Sequence, residues 1–365
     1  MNIAYLTPDH RDWWGERSIA VLGDSISFGV GCTGEIADNS YVGIVKKAVM
    51  STIGSKNYGF TSAYPTCWTN PKAEEIMAWP TATGGPGVEG FPEGWLELDN
   101  GKALCSFVMT AYNEGATLTY RLRDGYEYAY ACVYYHTCEG GGSFEVVSGD
   151  NAVCELGNDV PLVYDGQNTT DETKRTGFFR LADFKDGITL RIVSDGAPVA
   201  ITGIGFYNDL SEDAVTFQAY CRGGVMLTSL SDTVLKQAAS AGTLILGLGY
   251  NDATFGVNIG RTAADFTDRV DCLLAAVKHY GTHLIVNDYL WDNPQDVRND
   301  EQKAMFVHCR NELMRLAKEA GGIYINQSEY GGDAMIAEVN NGDGVHPTNA
   351  GHALMAKPIL EALGL

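Results

Sequence analysis

The sequence predicts an α/β protein in which a doubly wound parallel sheet is interrupted by an antiparallel β domain. Three observations carry that prediction. At both ends of the chain, short apolar runs alternate with stretches of 3.6-residue periodicity. Between roughly 85 and 209 the helical signal disappears. In that interval, runs that alternate residue by residue are separated by turn sequences.

The first apolar run, Ser18-Ile19-Ala20-Val21-Leu22, reads as a buried strand, and a helical stretch follows near 41–53. In the middle of the chain, 116–122, 126–134 and 188–193 alternate as half-buried strands do. Arg123-Asp124-Gly125, Gly140-Gly141-Gly142-Ser143, Lys185-Asp186-Gly187 and Ser194-Asp195-Gly196 supply the turns. Strands this short, about 8–12 residues apart, point to an antiparallel sandwich or jelly roll. After that interval the first texture returns. Thr243-Leu244-Ile245-Leu246 and Leu284-Ile285-Val286 read as buried parallel strands, with helices near 263–280, 300–320 and 349–363. Strands alternating with helices imply a doubly wound sheet. The expected division is 1–84 and 210–365 for the α/β domain and 85–209 for the insertion.

Composition narrows the function. Apolar residues make up 45% of the 365 and charged residues 19%, as in an ordinary globular protein. The 25 Lys and Arg stand against 46 Asp and Glu, a formal charge of -21. Nucleic acid and anionic membrane surfaces are poor partners for such a chain, because phosphate contacts need clustered cations. A neutral substrate such as a carbohydrate ester fits better. No apolar run reaches the roughly 18 residues that span a bilayer. Nor does the N-terminus show a basic start before a long apolar stretch, so it does not read as a secretory signal. The nine cysteines, Cys32, Cys67, Cys105, Cys132, Cys138, Cys154, Cys221, Cys272 and Cys309, include no pair at zinc-knuckle spacing. They read as mostly reduced, with Cys132 and Cys138 the nearest pair should a disulfide form.

Four segments can carry chemistry. In Val21-Leu22-Gly23-Asp24-Ser25-Ile26-Ser27, an apolar strand runs into an acid and a serine. This places Ser25 at a strand's carboxyl end, where ligand crevices form in open α/β sheets; the same pattern also suits a helix cap. In Asp343-Gly344-Val345-His346-Pro347, an Asp three residues before a His can fold back and accept the ring's second N–H. Pro347 keeps His346 out of a helix. His352, on the helix that follows, reads as structural. Asn251, after the strand Leu244-Ile245-Leu246-Gly247, can donate to an oxyanion, although Asn-Asp is also a common turn. Arg222-Gly223-Gly224 follows the strand-like 214–220 and can offer a backbone N–H, although Gly-Gly is also turn chemistry.

Together, in this order, these segments resemble the sequence blocks of the SGNH (GDSL-like) hydrolase superfamily. Gly23-Asp24-Ser25 resembles the first block, Gly249-Tyr250-Asn251-Asp252 the third and Asp343-Gly344-Val345-His346-Pro347 the last. For the second block the glycine is Gly224, with Gly223 as the alternate. The resemblance implies a flavodoxin-like three-layer domain, here carrying an inserted antiparallel β-sandwich, that hydrolyses esters with no metal or other cofactor. It implies Ser25 as nucleophile, His346 as base and Asp343 as its orienting acid. Ser25, Gly224 and Asn251 would form the oxyanion hole, and Asp24 and Tyr250 would lie against substrate.

The departure from the compact pattern is the insertion, almost 200 residues between the first two blocks. Jelly-roll attachments in the superfamily often accompany carbohydrate esterases, which implies O-acetyl removal from a polysaccharide. Trp68, Trp79, Trp95, Tyr134 and Tyr135 are the aromatic faces available for sugar stacking. Such esterases also occur in bacteriophage tail proteins, so a virion-associated or extracellular setting is expected beside a cytoplasmic one. The alternatives are a lipase or thioesterase for longer acyl chains and a glycan-binding module with a decayed site.

Overall fold

The computed structural model describes residues 10–63, 66–67, 70–74, 77, 81–83, 96–99, 104, 107–291 and 298–365. The chain divides into two compact units, one built from 1–55, 67–73 and 211–365 and the other from 56–66 and 74–210.

In the first unit, five parallel strands form one sheet. They are β1 (Arg17–Gly23), β2 (Val215–Cys221), β3 (Thr243–Gly247), β4 (His283–Asp288) and β5 (Ile323–Asn326), in spatial order β2-β1-β3-β4-β5. That order is the flavodoxin-like one, whose switch point lies between β1 and β3. Ile19 to Leu22 are 0% exposed because helices cover both faces of the sheet. Ile19 and Val21 pack in one cluster with Val42, Val45 and Val49 of α2 (Tyr41–Ile53) and with Met355 and Ile359 of the C-terminal helix. Ala20 and Leu22 lie beside Leu244 and Leu246 on the opposite face. Between β1 and α2 stand two single helical turns, α1 (Ser25–Phe28) and a second over Ile36–Asn39.

The remaining helices follow the strands as α3 (Asp232–Ala239), α4 (Ala263–Tyr280), α5 (Asp300–Ala320), α6 (Gln327–Asn341) and α7 (Asn349–Ala362). Capping boxes start α4 (Thr262 with Asp265) and α5 (Asn299 with Gln302), and left-handed Gly281 and Gly321 end them. Among the described residues no helix is long and apolar enough to cross a membrane.

The second unit holds two antiparallel sheets. One is centred on Ser143–Ser148 and Ile188–Ile192, the other on Tyr130–Thr137 and Val199–Tyr207. Tyr135 of the second sheet meets Phe144 of the first edge-on at 5.2 Å between ring centroids. Stretch 126–129 is not strand, because Ala129 bonds Tyr207 and Asn208 across a turn and the ladder starts at Tyr130. Gly59–Ser62 pairs with Val199–Tyr207, so by contact this unit begins near 56, whereas the texture change alone placed the insertion at 85. A four-residue strand carries too little alternation to announce a partner some 140 residues away.

Candidate active site

Ser25, Gly223 and Asn251 follow the carboxyl ends of β1, β2 and β3, the three adjacent strands around the switch point. Gly23 ends β1 and must be glycine, since a Cβ there would overlap the Ser27 side chain. Asp24 then caps α1 by accepting from the Ile26 amide at 2.9 Å, which leaves the Ser25 hydroxyl free for other work. The cap thus falls on Asp24 and not on Ser25.

His346 reaches this point from the loop before α7. Its Nε2 lies 2.8 Å from Ser25 Oγ and its Nδ1 lies 2.7 Å from Asp343 Oδ2. The other oxygen of Asp343 accepts from the backbone amides of Val345 and His346 at 3.0 and 2.7 Å. This carboxylate therefore locks both the loop and the ring. Burial would raise its pKa, but the hydrogen bonds from the His346 ring and backbone outweigh that and hold Asp343 well below the usual carboxylate range. With Asp343 ionised, Nδ1 carries the ring proton and Nε2 is left to accept one from Ser25.

Two contacts outside the motif hold the loop. The indole of Trp291, fully buried after β4, donates to the Val345 carbonyl at 2.9 Å. Gly31 lies so close that a Cβ would stand 2.4 Å from the Pro347 carbonyl, and its φ of +94° also demands glycine. Nothing in the local sequence marks either residue, since both act across long chain separations. Trp291→Phe removes the donor and part of a buried ring's volume, and we expect kcat to fall about tenfold with KM unchanged and stability reduced by about 1–3 kcal/mol. Steady-state ester hydrolysis beside a thermal melt checks it, and an unchanged kcat would show that the loop needs no such anchor.

Asn251 is held by its side chain. Its amide nitrogen lies 3.1 Å from the Val225 carbonyl and 3.4 Å from Asp24 Oδ2, so it bridges the ends of the first three strands. Of the two candidate glycines, Gly223 is the one beside Ser25: a Cβ on it would sit 3.8 Å from Ser25 Cβ. Gly224 adopts φ +80°, and a Cβ there would meet nothing within 4 Å. Arg222, ahead of both, continues the ladder by donating to the Gly23 carbonyl at 3.2 Å, which brings the next residue alongside Ser25. Asp252 supports this loop, accepting from the Leu227 and Thr228 amides and the Thr228 hydroxyl at 2.7–2.9 Å.

Asp24, expected against substrate, is instead 0% exposed. It accepts from Tyr289 Oη at 2.8 Å in addition to the Ile26 and Asn251 contacts. Burial pushes its carboxyl up to about 7 despite those donors. Its place is beneath the site, as an anchor for Asn251 and α1. Tyr250 is half-buried, edge-on to Phe306 at 5.3 Å.

Of the five aromatics that could supply sugar-stacking faces or core instead, Trp68, Trp79 and Trp95 lie outside the residues whose side chains are described. Tyr134 and Tyr135 are core residues, 0% and 7% exposed; alternation along that strand buries both faces and leaves neither ring open. Among the described cysteines, Cys132 and Cys138 are not joined by a disulfide.

His352 serves structure. Fully buried, it accepts from the Tyr41 amide at Nδ1 and donates to the Val30 carbonyl from Nε2, both at 3.3 Å. Burial pushes it down to about 4. That lies below the ~6.5 of an unfolded histidine, so on acidification the unfolded chain takes up the proton first. Its effect is absent above pH 6.5, and stability falls as pH drops toward 4, by about 3 kcal/mol at the lower end. His352→Gln should flatten that part of the pH dependence, read from urea midpoints at pH 7.5 and 4.5. Equal slopes in both proteins would overturn it.

No protein-family model and no curated protein sequence matches the chain. Solved structures do. One described as a peptidoglycan O-acetylesterase in action superposes with a TM-score of 0.62 at 16% identity, covering 99% of this chain and 93% of that one. An acetylxylan esterase from Geobacillus stearothermophilus has a TM-score of 0.33 at 16% identity over 42% and 74% of the two chains. A family two carbohydrate esterase from Clostridium thermocellum has 0.27 at 12% over 70% and 95%. The first likeness establishes a shared fold, and SGNH and GDSL-like hydrolases stand among the structural neighbours.

Proposed function

We propose that the protein is a serine esterase of the SGNH type that removes O-acetyl groups from a carbohydrate through an acyl-enzyme. One observation carries the reading: a single imidazole bridges Ser25 Oγ at 2.8 Å and Asp343 Oδ2 at 2.7 Å, with its two nitrogens in the two roles that nucleophilic catalysis requires.

Ser25 Oγ attacks the acyl carbonyl while its proton passes to His346 Nε2. The tetrahedral oxyanion forms beside the Ser25 and Gly223 backbone amides, and the Asn251 amide joins them by giving up its long 3.4 Å contact with Asp24; Gly223 takes the role first given to Gly224 because it is the nearer glycine. The imidazolium, steadied by Asp343, then gives its proton to the sugar oxygen as the C–O bond breaks, and the sugar leaves as an alcohol. Water, deprotonated by His346, releases acetate and restores Ser25.

An acetylated glycan is supported by the fold likeness to a peptidoglycan O-acetylesterase, which runs nearly the full length of both chains. The antiparallel second unit fits an inserted β-sandwich that helps select the glycan. The lipase or thioesterase reading has one feature in its favour: Phe255, in the short helical segment that follows Asn251, and Ile259 at its end are 55% and 51% exposed and apolar.

Initial rates on p-nitrophenyl acetate and p-nitrophenyl octanoate separate the two. The acetyl-esterase reading expects acetate turnover at least about tenfold above octanoate, since one acyl-chain methylene is worth only about 1–3 kcal/mol in a fitted pocket. It also expects acetate release from an O-acetylated glycan. A preference for octanoate would transfer the protein to the lipase class.

A further inference from the structure

Away from the site just described, the second unit gathers a histidine, a cysteine and an aspartate with metal-ligand chemistry. We propose that His136, Cys138 and Asp171 form a zinc-type metal site that stabilises the second unit and takes no part in ester hydrolysis.

The arrangement follows from strand geometry. His136 and Cys138 are two residues apart at the end of Tyr130–Thr137, and side chains at that spacing share a face. The neighbouring strand, Glu172–Arg175, pairs antiparallel with Thr173 opposite His136. Two residues back along that strand, and two forward along the first, the register sets Asp171 across from Cys138. The three donor atoms lie within 4.8 Å of one another, and His136 Nε2 stands 3.4 Å from Asp171 Oδ1. A tetrahedral ion bound at about 2.0–2.3 Å needs donor separations of about 3.4–3.6 Å. The His–Asp separation already fits, and the thiol needs only a side-chain adjustment.

The donors are also held as ligands need to be. The Cys138 backbone is pinned on both sides, its amide donating to Gly166 and its carbonyl accepting from Gly141 and Asn168. The His136 side chain is 2% exposed and that of Asp171 is 32%, so water can reach a fourth position through Asp171. One thiolate, one imidazole and one carboxylate are a borderline-soft set, which suits Zn²⁺ over Mg²⁺ or Ca²⁺. A relay for nucleophilic catalysis would string thiol, ring and acid in line. Here all three donors converge on one volume instead. Binding would release the Cys138 proton.

The test uses the full chain, stripped of metal and titrated with Co²⁺ and then Zn²⁺. The expected result is one ion per chain, with a thiolate-to-cobalt charge-transfer band and the intense visible bands of tetrahedral cobalt, both displaced by Zn²⁺. Cys138→Ser should remove the charge-transfer band, and Asp171→Asn should weaken binding at least about tenfold. Circular dichroism confirms that both variants are folded. Zn²⁺ should raise the melting temperature of wild type and not of Cys138→Ser, while p-nitrophenyl acetate turnover is the same with and without metal. No charge-transfer band in wild type, or a band that survives Cys138→Ser, would overturn the site. Because Ser25 activity is read separately, failure of the metal site and failure of the esterase reading are distinguishable.

Discussion

Ser25→Ala is expected to lower kcat toward p-nitrophenyl acetate by on the order of 10⁵–10⁶-fold, the scale on which serine hydrolases lose rate without their nucleophile. The variant has no oxygen for His346 to activate, and no neighbouring hydroxyl can substitute. Ser27, two residues on, is buried with its Oγ against Tyr41 and Tyr289 on the far side of α1. Folding should be nearly untouched, within about 0.5 kcal/mol, because α1 keeps its Asp24 cap and its buried Ile26 and Phe28. Initial rates and a thermal melt on the same preparation check both halves. Activity surviving in a folded Ser25→Ala would place the nucleophile elsewhere.

Asp343→Asn is the second large effect, and its size depends on exposure. An amide opposite Nδ1 favours the tautomer with its proton on Nε2, which then faces Ser25 as a donor and cannot take the hydroxyl proton. The corresponding change in a serine protease costs about 10⁴ in kcat. The Asp343 side chain is 58% exposed, so water screens part of its field, and we expect a loss nearer 10³. KM should stay within about twofold, since Asp343 bonds the ring and its own loop rather than substrate. Because its pKa lies well below the usual range, Asp343 remains ionised throughout the working pH. The loss should therefore be present at pH 7 and pH 9 alike, read from initial rates of both proteins. Equal rates for Asp343→Asn and wild type at either pH would overturn the orienting role.

Some of this protein was legible in the chain because the determining forces are local. Runs such as Ile19-Ala20-Val21-Leu22 and Leu244-Ile245-Leu246 announce strands buried on both faces, and helical periodicity marks α4, α5 and α7, the first two with capping boxes. Short α3 and Gly-interrupted α6 went unmarked, because each offers too few periodic turns to rise above loop. The Asp343–His346 pair could be read from a three-residue spacing, since one turn of chain suffices to close it.

What the sequence by itself determined is the set of reactive side chains and the elements that carry them. Only the tertiary structure decided how they meet. Ser25 and His346 stand 321 residues apart, and sheet order with helix packing brings them to 2.8 Å. The same packing chose Gly223 over Gly224 as the glycine beside Ser25 and buried Asp24 beneath the site. It also set Trp291 behind the His346 loop and placed Asp171 within reach of His136 and Cys138. The physical reason is that local spacing is governed by backbone geometry over a few residues. Contacts across the fold depend on register and on layers closing around a shared core, which no short stretch of sequence contains.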